Sequence, residues 1–108
     1  MREITIGDKQ LRLRATPLAL LFYKQEFGSD LVGDMMGMQE LKTDPGQFDS
    51  VIFLQIIWAL AKADNPKDFP SFVTWVSSLD AFDFSDEEIM LAVMEEAVDG
   101  FFRGRAGK

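Results

Sequence analysis

Acidic side chains are the residues of this chain whose pairing and spacing could support chemistry. Two glutamate pairs, Glu87-Glu88 and Glu95-Glu96, lie in the last quarter of the sequence. They are preceded by three aspartates at intervals of three residues, Asp80, Asp83 and Asp86. Paired carboxylates can act as general acid and base. Adjacent residues of a helix point in different directions, so neither glutamate pair converges on a single substrate atom. The pattern therefore favours a solvated acidic face near a helix N-terminus.

The remaining catalytic inventory is sparse. The chain has no cysteine and no histidine, which removes disulfides, thiolate nucleophiles, the usual zinc sites and the commonest general base. The aspartate triad lacks the glycine and the terminal glutamate of an EF-hand loop. Ser77-Ser78 has no histidine to activate it, and Gly33 with Gly37 matches neither a phosphate loop nor a dinucleotide fingerprint. We therefore expect no enzyme activity, no cofactor and no metal.

Length and charge restrict the classes of function that this chain could have. The 108 residues suffice for one domain, and the net charge of −7 would repel a nucleic acid. The most apolar run, 51–61, is interrupted by Gln55 and is shorter than the roughly 20 residues that span a bilayer. The N-terminus lacks the apolar core of a secretory signal. These features predict a soluble cytoplasmic protein that binds neither nucleic acid nor membrane.

The first 28 residues encode a hairpin followed by a capped helix. Apolar residues alternate with polar ones on both sides of Gly7-Asp8-Lys9, which predicts two half-buried strands within 3–15. Thr16 before Pro17 is typical of a helix start. The threonine hydroxyl can accept a hydrogen bond from an unpaired backbone amide of the first turn, and proline has no N–H that would be left unpaired there. Gly28 can take the left-handed conformation that ends a helix.

Turn signals divide the remainder into further helices. The second helix is expected to be short and to begin after a cap at Ser29 or Asp30. It is expected to contain Gly33 and Gly37. This second helix is predicted over 31–41, and a third from Thr43-Asp44-Pro45-Gly46 to about Ala63. A fourth helix is predicted from Pro70 or Ser71 to Leu79. The last is predicted to begin at a Ser85–Glu88 capping box and to end at Val98 or Phe101. We expect an α+β, predominantly helical domain over 1–102, with a two-stranded hairpin, a bundle of four to five helices and a flexible basic tail over 103–108.

Large apolar residues are in surplus for so short a chain. It contains ten phenylalanines, two tryptophans and six methionines. Residues of the 51–61 run, among them Phe53, Leu54, Ile57, Trp58 and Leu60, are assigned to the core. For Met35, Met36 and Met38, in a helix interrupted by glycines, both a core role and a protein-binding role stay open, since methionine repacks easily against varied partners. The same two interpretations stay open for Phe101 and Phe102.

The N-terminal segment 6–35 resembles that of tail assembly chaperones encoded by long-tailed phages and prophages of Gram-positive bacteria. In that family a short hairpin precedes a Thr-Pro or Thr-Ala helix start, an aromatic-acidic-Phe-Gly helix end and a Leu-rich continuation. The corresponding features here are Thr16-Pro17, Tyr23, Glu26-Phe27-Gly28 and Leu31. The segment 51–66 is similar to the family's central apolar helix.

The resemblance implies a non-catalytic role in building the phage tail. Such chaperones coat the aggregation-prone tape measure protein in the host cytoplasm, help recruit tail tube subunits and are absent from the mature virion. Many have a longer, frameshifted form, with which the basic end at 103–108 is compatible. Self-association along the client fits the same role, and no reactive group is required.

Two other classes stay open at this point. A structural tail completion or connector subunit, retained in the virion, would share the small acidic helical character. A regulator that mimics DNA would draw its support from the acidity and would bind a nucleic-acid enzyme in a salt-dependent way.

Overall fold

A two-stranded hairpin and a set of helices make up the part of the chain that the structure describes. The computed structural model describes residues 2–38 and 49–102. Along these residues the elements are β1 (Arg2–Ile6), β2 (Lys9–Leu13), α1 (Pro17–Phe27), α2 (Leu31–Met38), α3 (Ser50–Asp64), α4 (Phe72–Ser77) and α5 (Glu87–Phe101). The predicted α+β, mostly helical class is confirmed.

The hairpin has the predicted alternation. β1 and β2 pair antiparallel with Ile4 opposite Leu11 and Ile6 opposite Lys9, and Gly7 in the turn has a φ of 64°. The apolar residues of both strands are buried on one face, while their polar neighbours are exposed. Beyond the hairpin, the Arg14 amide donates to the Leu60 carbonyl of α3 at 3.1 Å, so the end of β2 is bonded directly to the central helix.

Helix α1 begins and ends where the sequence predicts. Pro17 is its first residue, and Thr16 precedes it in an extended conformation, but the threonine side chain makes no capping hydrogen bond. That part of the prediction is wrong, because the Thr16 backbone carbonyl accepts from the Ala19 amide at 2.9 Å instead. Gly28 has a φ of 70° and its amide donates to the Lys24 carbonyl.

Helix α3 is the centre of the core. It begins at Ser50, where the Asp49 carboxylate accepts from the Val51 and Ile52 amides, and not near Pro45 as predicted; residues 43–46 themselves lie outside the described residues. Trp58 and Tyr23 are the largest fully or almost fully buried side chains. The buried residues of α3 lie on all its sides, as expected for a helix that neighbours cover: Phe53, Ile56, Ile57, Trp58, Ala59, Leu60, Ala61 and Ala63.

The last helix is capped one residue later than predicted. The Asp86 carboxylate accepts from the Glu88 and Ile89 amides. Ser85 does not cap the helix, because its amide and hydroxyl both donate to the Asp83 carboxylate. These two hydrogen bonds lower the pKa of Asp83. Asp83 and Asp86 thus stabilise the turn that leads into α5.

A buried carboxylate positions α5 against the N-terminus of the chain. Glu96 is 4% exposed, although the sequence assigned it to a solvated face. One of its oxygens accepts from the Arg2 guanidinium at 3.0 Å, and the other accepts from the Ala15 amide at 2.9 Å. Arg2 also donates to Asp99 at 2.9 Å. Both oxygens of the buried charge are therefore hydrogen-bonded, as burial of a carboxylate requires.

One turn further along α5, Gly100 lies against the backbone of Ala15. A Cβ atom at Gly100 would be 2.5 Å from the Ala15 Cβ and would overlap the Ala15 carbonyl oxygen. Such overlap with backbone cannot be relieved by a rotamer change. Glycine is needed here because the helix passes too close to the strand-to-helix junction for any side chain.

We predict that Glu96→Gln lowers the free energy of unfolding by about 1–3 kcal/mol, because the amide NH2 must face a donor, either Ala15 or Arg2. The neighbouring Glu95→Gln is the matched control: its side chain is 61% exposed and 3.7 Å from Arg2, and we expect a change within about 0.5 kcal/mol. Urea denaturation followed by tryptophan fluorescence measures both. Equal losses for the two variants would contradict the role assigned to Glu96.

We also predict that Gly100→Ala destabilises the domain by about 1–3 kcal/mol through overpacking against Ala15. Gly37→Ala is the control, since a Cβ there has no atom within 4 Å and alanine improves helix propensity by up to about 1 kcal/mol. Thermal unfolding followed by circular dichroism distinguishes the two. A Gly100→Ala protein as stable as the wild type would show that α5 does not approach Ala15 this closely.

Candidate protein-binding site

The methionines predicted to bind protein lie in different environments on α2. Met35 is fully buried in the core, whereas Met36 is 53% exposed. The side chain of Met38 lies outside the described part. Among the described side chains of α2, Met36 is the exposed large apolar one, and it lies beside the exposed Gly33 and Gly37.

A hydrogen-bonded group of side chains holds α2 in place. The Tyr23 hydroxyl donates to the Asp34 carboxylate at 2.7 Å and lies 3.0 Å from the Gln55 side-chain oxygen. The Ser29 hydroxyl donates to the same carboxylate at 2.9 Å. Asp30 caps the helix by accepting from the Gly33 amide at 2.7 Å, as one of the two predicted caps. The buried Met35 is thus fixed between α1 and α3, which leaves it little freedom to repack.

Burial and the adjacent carboxylate raise the pKa of Tyr23. Burial is the larger cause, because it disfavours the phenolate, and the hydrogen bond to Asp34 adds to it. The hydroxyl is therefore a neutral donor throughout the physiological range, with a structural role in joining α1, α2 and α3.

Phe101 and Phe102 end α5 and differ in their exposure. Phe101 is half-buried and packs against the core, whereas Phe102 is 50% exposed. Gly100 beside them is fixed against Ala15.

Phe101 completes a row of apolar side chains on the outer face of α5. Leu91, Met94, Val98 and Phe101 follow at intervals of three, four and three residues, which keeps them on one side of a helix. Leu91 is 59% exposed, and the other three are half-buried. We call these four residues the α5 seam. Their spacing is that of the a and d positions through which helices pack in coiled coils.

The opposite face of the same helix belongs to the core. Ile89, Val93 and Ala97 are buried, so α5 is apolar on two sides. An amphipathic helix needs only one apolar side to fold onto its domain. Met94 and Phe101 also pack partly against the core, whereas the exposed Leu91 adds apolar surface that the packing of α5 does not cover.

A surface cleft adjoins the seam. It has a volume of about 400 Å³ and is lined by Arg2, Met94, Glu95, Val98 and Asp99. Two seam residues form its apolar part, and charged residues form its rim.

Other exposed apolar side chains do not form a comparable row on any described helix. Leu18 and Leu21 are on α1, Val51 begins α3 and Val73 is on α4. Leu18 and Leu21 are one turn apart and form a pair, while Val51 and Val73 are single; exposed apolar residues in such small numbers are normal on protein surfaces. The α5 seam, with Phe102 next to it, is therefore the candidate binding site.

Three of the acidic residues considered for chemistry, Asp83, Asp86 and Glu96, accept structural hydrogen bonds. Asp83 accepts from Ser85 and Asp86 caps α5, while Glu96 is buried against Arg2 and Ala15. In residues 2–38 and 49–102 no three acidic side chains are arranged to hold a metal ion. These carboxylates therefore help to position α5.

No protein-family model, no curated protein and no solved structure matches this chain. Among the described helices, none has both the length and the hydropathy needed to cross a bilayer.

Sequence reasoning identified Phe101 and Phe102 as candidates but did not single out Leu91 or Val98. A broad apolar stripe and two narrow ones look alike in a short helix, so Leu91 and Val98 were not distinguished from the residues of the core side. The signal that distinguishes them is the heptad spacing from 91 to 101.

We predict that Tyr23, the single tyrosine of the chain, ionises well above the usual pKa of about 10 in the folded protein. Because its folded pKa is raised, its contribution to stability is full below about pH 10 and is lost as the pH rises further. Ultraviolet absorbance of the phenolate measures the titration. Asp34→Asn should bring the pKa part of the way down, since burial remains.

The chain unfolded in urea serves as the reference for this titration. If the folded and unfolded chains titrate at the same pH, the Tyr23 hydroxyl is not buried against Asp34.

Proposed function

We propose that this protein is a phage tail assembly chaperone, which binds apolar faces of the helical tape measure protein and keeps it soluble during tail assembly. The observation that carries the proposal is the α5 seam, a row of one exposed and three half-buried apolar side chains at coiled-coil spacing. A helical client presents the complementary feature, a row of apolar residues along one side. The proposed site is therefore the seam together with Phe102.

The resemblance of the N-terminal segment supports the same role. Its elements occur in the fold in the order the resemblance requires: a hairpin, a helix that begins at Pro17, a left-handed Gly28 and a short second helix. The similar central segment is the buried helix α3. These parts form the scaffold, and the proposed binding surface is on the helix that follows them.

The proposed mechanism requires binding and solubility but no bond-making step. Apolar residues of the client would cover the seam, which removes both surfaces from water and lowers the tendency of the client to aggregate. The net charge of −7 would keep the complex soluble through mutual repulsion. Several copies along one client, followed by displacement as tail tube subunits arrive, would complete the cycle in the host cytoplasm and leave the chaperone out of the virion.

We predict that co-expression with the tape measure protein of the same phage keeps that protein soluble, and that Leu91→Ser with Phe102→Ser abolishes most of this effect. Each substitution removes exposed apolar area that the client would cover, and a loss of about 1.4 kcal/mol weakens binding tenfold. Val73→Ser is the matched control, because Val73 is 70% exposed but lies on α4.

Size-exclusion chromatography with light scattering of the soluble fraction gives the number of copies per client. A tape measure protein that precipitates with the wild-type chain would refute the proposal. Mass spectrometry of purified particles tests the competing role: a chain found in the virion would be a completion or connector subunit and not a chaperone.

A further inference from the structure

Acidic residues line one side of the α5 seam. Glu88 and Glu95 are seven residues apart and follow the seam on the same side, at the positions that carry interhelical ion pairs in coiled coils. Glu87 lies in line with the seam at its N-terminal end. All three are exposed. A helix that packs on the seam would therefore run beside a row of carboxylates.

Little of this negative charge is compensated within the domain. Arg2 is 3.7 Å from Glu95, but it also donates to Glu96 at 3.0 Å and to Asp99 at 2.9 Å. Its charge is thus taken mainly by two other carboxylates. In the part of the chain that the structure describes, no ion pair reaches Glu87 or Glu88.

This charge pattern disfavours a second copy of the chain as the occupant. Antiparallel pairing of two α5 seams would place glutamate beside glutamate, and parallel pairing would leave both rows without a cation. Like charges across an interface act against the wrong partner. The occupant that fits is a different helix with positive charge along one side.

We propose that the α5 seam binds an amphipathic helix whose apolar row is flanked by lysine or arginine residues. The seam from Leu91 to Phe101 is about 15 Å long, so it accommodates about three turns of a partner helix. The basic flank would pair with Glu88 and Glu95, which sets the register and the orientation. The inference that the tape measure protein supplies this helix deepens the proposed function and rests on it. The preference of the seam for a basic helix can be tested without any phage protein.

The test uses two labelled helical peptides that share one leucine seam, with lysine flanks in one and glutamate flanks in the other. Fluorescence anisotropy with the full chain should show at least about tenfold tighter binding of the lysine peptide, which corresponds to 1.4 kcal/mol. Binding should weaken as salt rises from about 0.1 M to about 1 M, since exposed ion pairs are screened. Leu91→Ser should weaken binding of both peptides.

The charge requirement is isolated by two double variants that lose the same two charges. Glu88→Gln with Glu95→Gln should remove most of the preference for the lysine peptide. Glu26→Gln with Asp68→Asn changes exposed acids of other elements and should leave the preference intact. Circular dichroism verifies that every variant is folded before binding is measured.

Four results would overturn the inference. The first is equal binding of the two peptides, and the second is an equal effect of the two double variants. The third is light scattering that shows a dimer of the chain alone which Leu91→Ser dissociates, since the occupant would then be a second copy. A tape measure protein that stays soluble while neither peptide binds would reject this inference and leave the proposed function standing.

Discussion

The Glu96 carboxylate is the interaction on which the arrangement of this domain depends. A buried charge is costly unless strong hydrogen bonds replace its water, and here an arginine and a backbone amide do so. Those partners come from β1 and from the junction between β2 and α1. One side chain of α5 thus connects both strands of the hairpin to the last helix, and Gly100 lets the two backbones approach closely enough for the contact.

The same contact determines which way α5 faces. A helix with two apolar sides could pack on its domain by either one, since burial alone does not choose between them. Because Glu96 and Gly100 must meet Ala15, the side with Ile89 and Val93 is turned to the core. The α5 seam is turned away as a consequence, with Leu91 exposed and the other three side chains half-buried. A polar interaction therefore selects the apolar surface that the protein displays.

Features that depend on neighbouring residues could be predicted from the sequence. The turn at Gly7, the helix start at Pro17 and the left-handed Gly28 follow from local backbone chemistry. The cap of α5 was misplaced because serine and aspartate compete for the same amides over a few residues. The burial of Glu96 could not be foreseen, since its partners are 81 and 94 residues away in the chain. The exposed seam depends on that same distant contact.

The separation of these partners also has a consequence for synthesis on the ribosome. Domains made from the N-terminus fold as their residues emerge, but the Ala15 amide cannot meet its carboxylate until residue 96 has left the exit tunnel. The hairpin therefore waits, without its final anchor, for a residue that is 81 positions further along the chain. The helix that completes the fold is also the one that bears the seam, so this surface takes shape at the moment the domain closes and not before.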